Sequence, residues 1–233
     1  MKAVVLAAGR GERLKPYTNY LPKPLINLRG APLLRHIVSA LTRAGLDEVL
    51  VITGYRNDIL SRRIYNWREF EGVVRHRFNP DWHIGNATSL LAARKEVEEE
   101  DAFVLSMSDH IFDSSLVEKA LNDFNGENTV CVDRDPKQLM DVVESTKVRL
   151  DDRSRVTQIG KGLEKWDAVD TGVFILRGDV FKMIPRGATQ VSSCMSALAS
   201  SMLLYGYDVS GIPWLDIDTP EDLEHARKTV HWV

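Results

Sequence analysis

Residues 6–14 read Leu-Ala-Ala-Gly-Arg-Gly-Glu-Arg-Leu, and the fold assignment starts from this stretch. The stretch overlaps an apolar run, residues 3–7, that is typical of a buried β-strand. A glycine-containing loop directly after such a strand lies at the carboxyl edge of an open α/β sheet, where these sheets bind their ligands. Because glycine has no Cβ, the backbone N–H groups of the loop can approach an anion closely. The stretch therefore predicts an α/β fold with an anion-binding loop after its first strand.

Two other glycine motifs do not fit this loop. The third glycine of the dinucleotide-binding fingerprint is replaced by Leu14, and no Gly-Lys-Ser/Thr sequence follows to complete a P-loop. A tight strand-to-helix turn without a ligand is the other interpretation of Gly9 and Gly11. The loop alone leaves both interpretations open.

Short β-branched runs alternate with amphipathic segments through the first 133 residues. This alternation produces a parallel sheet that is covered by helices. It predicts a Rossmann-like, doubly wound α/β fold, with Ser114 or Ser115 capping the fourth helix. The predicted strands are residues 3–7, 48–53, 73–78, 102–107 and 129–133, and the predicted helices are residues 32–44, 59–67, 87–97 and 115–124.

The pattern changes after Asp133. Short segments with Asp, Arg, Ser and Gly connections indicate antiparallel or mixed strands, so the mostly parallel sheet gains an antiparallel extension. Thr219 opens the closing helix, and Pro220 occupies a first-turn position that tolerates proline. The predicted elements are strands at 146–150, 156–159 and 172–176, a helix at 192–204 and a strand within 208–218.

Composition excludes several classes of protein. The formal net charge of -3 provides no excess of positive charge for nucleic acid or lipid phosphates. Cys131 and Cys194 have no metal-ligand spacing and fit a reducing compartment. Charge resumes at Arg10 before a signal-peptide core is complete, and no run approaches the roughly 18 apolar residues of a membrane span. We expect a cytoplasmic protein with no nucleic-acid partner and no membrane span.

A lysine between two prolines follows the glycine loop. Residues 21–25 read Leu-Pro-Lys-Pro-Leu, and the prolines restrict the backbone around Lys23. A restricted backbone loses less entropy when the ammonium group is fixed against a phosphate. Lys23 is therefore a candidate phosphate ligand, with a solvated surface lysine as the alternative.

These motifs together resemble the sugar-1-phosphate nucleotidyltransferase family over essentially the whole chain. The resemblance rests on the glycine loop, on Pro-Lys-Pro-Leu, on Asp109 after an apolar strand and on Trp-Leu-Asp at residues 214–216. Within the family the chain is most similar to the archaeal inositol-1-phosphate cytidylyltransferases. The motifs that carry this second resemblance are residues 79–82 (Asn-Pro-Asp-Trp), 85–90 (Gly-Asn-Ala-Thr-Ser-Leu), 108–111 (Ser-Asp-His-Ile), 160–161 (Gly-Lys), 170–172 (Asp-Thr-Gly) and 214–222 (Trp-Leu-Asp-Ile-Asp-Thr-Pro-Glu-Asp).

The resemblance implies a fold of the nucleotide-diphospho-sugar transferase type. It implies a single domain, 1–233, with a nucleotide-binding half (1–133) and an acceptor-binding half (134–233). The implied partners are a nucleoside triphosphate, CTP above all, and a small phosphorylated polyol or sugar. Similar proteins are often fused to a membrane-embedded synthase, so the chain is interpreted either as a separate enzyme or as part of a larger membrane protein. The oligomeric state is left open.

Catalytic and metal-binding residues are also implied by the resemblance. Arg13 would neutralise the leaving β- and γ-phosphates, and Lys23 would bridge the α-phosphate and the acceptor phosphate. Mg²⁺ would be held by Asp109 together with Asp216 or Asp218. Asp109 follows a predicted apolar strand, which independently places its carboxylate at the same sheet edge as the glycine loop. Capping of a helix or turn is the alternative for Asp109 and for Asp218.

Substrate-binding residues complete the implied site. Asparagine can both donate and accept hydrogen bonds, as the edge of a pyrimidine base requires. Lys147 is interpreted equally well as a surface residue. The implied nucleotide-binding residues are Leu6, Ala7, Ala8, Gly9, Gly11, Asn79, Gly85, Asn86 and Ser89, and the implied acceptor-binding residues are Lys147, Lys161 and Asp170.

The implied reaction is transfer of CMP from CTP to inositol-1-phosphate, with CDP-inositol and pyrophosphate as products. It needs no protein nucleophile, because the acceptor phosphate itself attacks the α-phosphorus. It needs no general base either, because the second pKa of this phosphate is about 6, so the phosphate is largely a dianion at neutral pH. The histidines form no catalytic cluster in the sequence, and His110 is assigned at most a supporting role. The alternatives are uridylyl or thymidylyl transfer to a hexose-1-phosphate, cytidylyl transfer to a phosphocholine-like acceptor, and a non-catalytic, nucleotide-binding regulatory subunit.

Overall fold

The computed structural model describes residues 1–233, and a nine-stranded sheet lies at its centre. Two short antiparallel ribbons lie outside this sheet. In chain order the strands are β1 (Lys2–Ala7), β2 (Asn27–Leu28), β3 (Ala31–Pro32), β4 (Glu48–Thr53), β5 (Val74–Phe78), β6 (Ala102–Met107), β7 (His110–Phe112), β8 (Thr129–Asp133), β9 (Lys147–Leu150), β10 (Val156–Gly160), β11 (Ala168–Arg177), β12 (Tyr205–Asp208) and β13 (Trp214–Asp216).

Seven strands of the sheet follow the order β10-β9-β11-β6-β1-β4-β5, and β8 and β12 continue from β11. β1 pairs in parallel with β4 and β6, and β4 pairs in parallel with β5. β11 runs antiparallel to β6, β8 and β9. The predicted parallel sheet with an antiparallel extension is therefore confirmed. Because β11 of residues 134–233 pairs with β6 of residues 1–133, the two predicted halves share one sheet.

Six helices cover both faces of the sheet: α1 (Leu33–Arg43), α2 (Asn57–Tyr65), α3 (Asn86–Val97), α4 (Ser114–Asn122), α5 (Val191–Ser200) and α6 (Pro220–Thr229). Four of them, α1, α2, α4 and α6, contribute to an apolar core on one face, and α3 and α5 contribute to the core on the other. Successive residues of β1 alternate between these cores, with Val5 in the first and Val4 in the second. None of the helices combines the length and apolar character needed to cross a lipid bilayer.

Capping residues agree with the prediction for one helix and differ for another. Thr219 caps α6, as predicted: its hydroxyl accepts a hydrogen bond from Asp222 N–H at 3.2 Å, and the Asp222 carboxylate accepts one from Thr219 N–H at 2.8 Å. The prediction that Ser114 or Ser115 caps α4 is wrong. Asp113 is the cap, because its carboxylate accepts a hydrogen bond from Ser115 N–H at 2.9 Å.

The strand predicted within residues 208–218 contains β13, but β7 and the antiparallel ribbon that it forms with β13 are absent from the predicted elements. Each strand has only three residues, too few for an alternation of apolar and polar side chains to stand out. The strands come from opposite halves of the chain, and their register pairs Asp216 with His110. The ribbon therefore brings Asp216 beside His110, which directly follows Asp109.

A buried hydrogen bond fixes this ribbon to the main sheet. Trp214 in β13 is 1% exposed, and its indole N–H donates to Asp133 Oδ2, 2.9 Å away at the end of β8. The Asp133 carboxylate also accepts hydrogen bonds from the side-chain amide of Gln138 and the backbone N–H of Asp135. These three donors compensate for the burial of its charge. The position of β13 therefore depends on a carboxylate at the end of another strand.

We expect Asp133→Ala to lower the free energy of unfolding by about 2–4 kcal/mol, because the buried donors of Trp214 and Gln138 lose their acceptor. Urea unfolding followed by circular dichroism measures this change. Asp152→Ala, at an exposed position, is the control and should change the same quantity by less than about 0.5 kcal/mol. Equal stabilities of the two variants would contradict an anchoring role for Asp133.

Candidate active site

The loops that follow β1 and β6 lie side by side. The two strands are parallel neighbours, in register from Lys2 opposite Phe103 to Leu6 opposite Met107. Their carboxyl ends therefore meet at one edge of the sheet, where ligand sites of such folds are found. The glycine loop and Asp109 are brought together at this edge, as the sequence predicts.

Lys23 is a buried lysine between two carboxylates. Its side chain is 8% exposed, and its Nζ lies 3.0 Å from Asp109 Oδ2 and 2.5 Å from Asp218 Oδ1. Gly11 makes room for it, since its φ is +70° and a Cβ there would lie 2.6 Å from Lys23 Cβ. Arg13 pairs with the other oxygen of Asp218. The structure thus brings both predicted catalytic cations together with two of the predicted metal ligands.

His110 lies within this cluster, although the sequence pattern assigns it at most a supporting role. Its ring stacks on Trp214, with ring centroids 5.9 Å apart and planes 5° apart. Its Nδ1 lies 2.9 Å from Asp109 Oδ1, and its Nε2 lies 3.8 Å from Asp216 Oδ2. Gly172 leaves space for the ring, because a Cβ there would lie 2.5 Å from His110 Cγ. Adjacency to Asp109 is the one sequence signal for this position, and the approach to Asp216 depends on the β7–β13 pairing.

The central ion pairs hold their charges against burial. Burial lowers the pKa of Lys23, but the carboxylates of Asp109 and Asp218 outweigh this effect and raise it above its usual range. Burial raises the pKa of Asp109, but Lys23 and His110 outweigh it and hold the pKa well below the usual range. Burial lowers the pKa of His110, while Asp216 and Asp109 raise it to about 9. All three groups are charged at neutral pH.

Two further carboxyls lack a full complement of cations. Burial raises the pKa of Asp170 to about 6, with His110 acting in the opposite direction. Burial also raises the pKa of Asp216 to about 6; His110 opposes this shift, and Asp109 and Asp218 add to it. The site therefore carries more carboxyl groups than its own cations neutralise.

The cluster of Asp109, His110 and Asp216 is able to hold a divalent cation. Asp216 Oδ1 is buried and has no hydrogen-bond partner. Ligand atoms of Asp109, His110 and Asp216 all lie within 4.8 Å of one another. Carboxylate oxygens are the ligands that hard cations prefer, and imidazole nitrogen serves transition metals as well. Asp109 is engaged by Lys23 and His110, and Asp218 is engaged by Lys23 and Arg13, so the oxygen without a partner belongs to Asp216.

Three cavities adjoin the cluster, and two of them are lined by predicted substrate-binding residues. The first, called the loop cavity, has a volume of about 350 Å³ and is lined by the glycine loop and Lys23. The second, called the polar cavity, has a volume of about 270 Å³ and is lined mostly by polar residues, with hydroxyl, amide, carboxyl and cationic groups among them. Residues that line both cavities are Arg13, Asn86, Met107, Asp109 and Asp218.

Most of the predicted nucleotide-binding residues line the loop cavity, and three do not. Ala7 is buried within β1. Asn79 is also buried, and its amide donates to Ser89 Oγ at 3.0 Å, which holds the turn at residues 79–89. Gly85 packs on Thr189, whose carbonyl oxygen would lie 2.1 Å from a Cβ at this position. The predicted residues that line the loop cavity are Leu6, Ala8, Gly9, Gly11, Asn86 and Ser89.

Two of the three predicted acceptor-binding residues line the polar cavity, and one does not. Lys161 and Asp170 line the polar cavity. Lys147 does not, because it is buried and its Nζ donates to the carbonyl oxygens of Val143 at 2.9 Å and Lys161 at 3.3 Å. Lys147 therefore links the backbone at Val143 to the backbone at Lys161, which lines the polar cavity. Glu144, which also lines this cavity, lies 3.9 Å from Arg13 and 4.0 Å from Lys161.

The sequence and the fold both match known proteins. A bifunctional IPC transferase and DIPP synthase from Archaeoglobus fulgidus is 34% identical over 233 residues, which cover 99% of this chain and 44% of that protein. A protein of the same name from Aquifex aeolicus is 34% identical over 227 residues, which cover 97% of this chain and 51% of that protein. The chain thus spans about half the length of these relatives.

The fold is similar to that of the inositol-1-phosphate CTP transferase from T. maritima. The TM-score is 0.85 at 22% sequence identity, and the alignment covers 98% of this chain and 97% of that one. At this identity the similarity concerns the fold. The sequence model of the nucleotidyl transferase family matches residues 2–231, which is nearly the whole chain. Because this match extends over nearly the whole sequence, the chain belongs to the nucleotidyl transferase family.

Proposed function

We propose that this chain transfers the cytidylyl group from CTP to inositol-1-phosphate, which yields CDP-inositol and pyrophosphate. One observation carries the proposal: Asp109 and Asp218 line both the loop cavity and the polar cavity, and Lys23 is paired with both of these acids. Transfer of a nucleotidyl group from one substrate to the other requires catalytic residues that both substrates can reach. The names of the two relatives and of the T. maritima protein support cytidine and inositol phosphate as the substrates.

The reaction requires positioning and charge neutralisation more than proton transfer. A phosphate oxygen of the acceptor attacks the α-phosphorus of CTP, the new P–O bond forms and pyrophosphate leaves. The acceptor phosphate is largely a dianion at neutral pH, because its second pKa is about 6. Lys23 and Arg13 exchange their carboxylate partners for phosphate oxygens when the triphosphate binds. Their positive charges then face the atoms on which negative charge develops.

A divalent cation fits the acidic cluster. Asp216 Oδ1 is the buried oxygen without a partner, and Asp109 supplies a second carboxylate nearby. We assign Mg²⁺ to Asp109 and Asp216, because magnesium prefers a few carboxylate oxygens plus substrate phosphates. When bound, Mg²⁺ neutralises phosphate charge and fixes the phosphate geometry. Asp218 has a different role in this assignment, since it holds Lys23 and Arg13 in place before the substrate binds.

The polar cavity suits a phosphorylated polyol. Lys161 and Arg13 provide positive charge for its phosphate, and the hydroxyls of Ser145 and Thr146 line the same wall. Asp170 faces this cavity and can accept hydrogen bonds from substrate hydroxyls. A hexose-1-phosphate shares these features, so the acceptor is decided by assay.

Pyrophosphate release tests the proposal. CTP, UTP, dTTP and ATP are each supplied with inositol-1-phosphate, glucose-1-phosphate or phosphocholine in the presence of Mg²⁺. We expect the highest kcat/KM for CTP with inositol-1-phosphate. A higher value for another pair would replace the proposed substrates, and nucleotide binding without any pyrophosphate release would support a regulatory subunit.

Lys23→Ala should lower kcat by about 100-fold or more, because a preorganised cation is removed from the reacting phosphates. Some loss of thermal stability is also expected, since Asp109 and Asp218 lose their shared counterion. Turnover at saturating substrates is measured well below the melting temperature of the variant. Lys15→Ala, at an exposed position of the same loop, is the matched control. Full turnover by Lys23→Ala would remove this lysine from the mechanism.

Asp216→Asn and Asp218→Asn should separate the roles of the two acids. For Asp216→Asn we expect the Mg²⁺ concentration at half-maximal activity to rise by about tenfold or more, because a metal ligand is weakened. For Asp218→Asn we expect lower turnover with little change in that concentration. Magnesium titrations of pyrophosphate release provide both quantities. The opposite pattern would assign the metal to Asp218.

Asp170→Asn should stabilise the metal-free protein at about pH 7.5 and leave its stability unchanged near pH 4. Burial raises the pKa of Asp170 from 3.8 to about 6, so the native state binds an extra proton between these values. Stability therefore falls as the pH rises through this window, and asparagine removes the buried charge. Thermal unfolding in EDTA at both pH values measures the difference, with Asp152→Asn as the exposed control. A variant no more stable than the wild type at the higher pH would contradict this account.

A further inference from the structure

Trp82 is an aromatic residue of the active site to which the reaction chemistry assigns no role. It follows Asn79 in the turn at residues 79–89, and its side chain is half-buried. It lines the loop cavity together with Lys23 and the glycine loop. A large aromatic side chain at the wall of a substrate cavity needs an explanation beyond packing in the core.

The indole is held in place by two neighbouring strand ends. Gly54, directly after β4, lies so close that a Cβ there would be 2.5 Å from Trp82 Cβ and 2.7 Å from Ala8 Cβ. Tyr55 packs its ring edge-on against the indole, with centroids 5.6 Å apart and planes at 61°. The backbone N–H of Tyr55 also donates to the carbonyl oxygen of Ala8 at 2.9 Å. The small residues at positions 8 and 54 thus create the space that Trp82 occupies.

The loop cavity is lined by both charged and apolar residues. Arg13 and Lys23 provide the positive charge that a triphosphate requires, and three acidic residues, Glu12, Asp109 and Asp218, also line the cavity. Its apolar lining includes Leu6, Trp82 and Met107, with the hydroxyl of Ser89 as a polar group. An uncharged heteroaromatic ring fits such a surface, and base-on-aromatic stacking is a common way to bind it.

We propose that Trp82 binds the nucleobase of the triphosphate by stacking its indole on the base. This inference rests on the proposed function, because it places a nucleotide in the loop cavity. Trp82 then contributes affinity for the base and none for the phosphates. Ser89 is the nearby group that can form a hydrogen bond to the base edge.

Binding measurements with the whole chain test this inference. We expect Trp82→Ala to raise the Kd for CTP by roughly 10-fold or more, because loss of one stacked base typically reduces affinity by this order. Trp82→Phe keeps an aromatic face and should stay within about 3-fold of the wild type. The Kd for inorganic tripolyphosphate, which has no base, should be the same in wild type and Trp82→Ala. Trp166→Ala, a tryptophan outside both cavities, is the matched control.

Fluorescence provides a second measurement that requires no turnover. CTP should quench tryptophan emission in the wild type and in Trp166→Phe but not in Trp82→Phe. Unchanged CTP affinity in Trp82→Ala would overturn the inference. Equal weakening of CTP and tripolyphosphate would also overturn it, since Trp82 would then only support the loop.

The two proposals fail in different ways. Titration of all four nucleoside triphosphates reports on Trp82 even if no acceptor is turned over. Quenching that depends on Trp82 without pyrophosphate release would reject the proposed function and retain the stacking role. Turnover with a CTP affinity that is independent of Trp82 would do the reverse.

Discussion

Buried negative charge at the ends of β6 and β13 is the constraint on which the site depends. Carboxylates cannot be packed together away from water unless cations or a metal compensate for their charge. Lys23 satisfies this requirement for Asp109 and Asp218, and it does so from a loop that belongs to neither strand. In the proposed reaction the same charges serve a second purpose, because the cations released from the carboxylates bind the phosphates.

Two glycines allow this concentration of charge. Gly11 lies against Lys23 and Gly172 lies against His110, and in each case a Cβ would collide with the charged side chain. Trp214 completes the support by stacking on His110 while its N–H is held by Asp133. The carboxylates proposed to bind the metal are therefore positioned by residues that do not themselves offer a ligand, as is common around metal sites.

The turn at residues 79–89 shows how a single buried amide organises one wall of a cavity. Asn79 accepts a hydrogen bond from Asp81 N–H and donates to Ser89, so the segment that carries Trp82 is fixed at both ends. The sequence motif of this segment resembles nucleotide-binding positions. The hydrogen bonds of Asn79 indicate that this residue holds the turn in place, whereas Trp82 and Ser89 of the same turn line the cavity.

The sequence alone is enough to predict the α/β class, the parallel strands and the glycine loop, because these follow from local apolar runs and turn residues. It also identified Lys23 and Asp109 through motifs that lie next to those strands. Three features become visible in the folded chain only: His110 approaches Asp216, Lys147 binds backbone carbonyls, and Trp82 lines the loop cavity. The first depends on pairing between the three-residue strands β7 and β13, which are distant in the chain, and short strands carry too little periodicity to reveal their partners. The other two depend on where side chains point after the backbone has folded, which the sequence pattern does not specify.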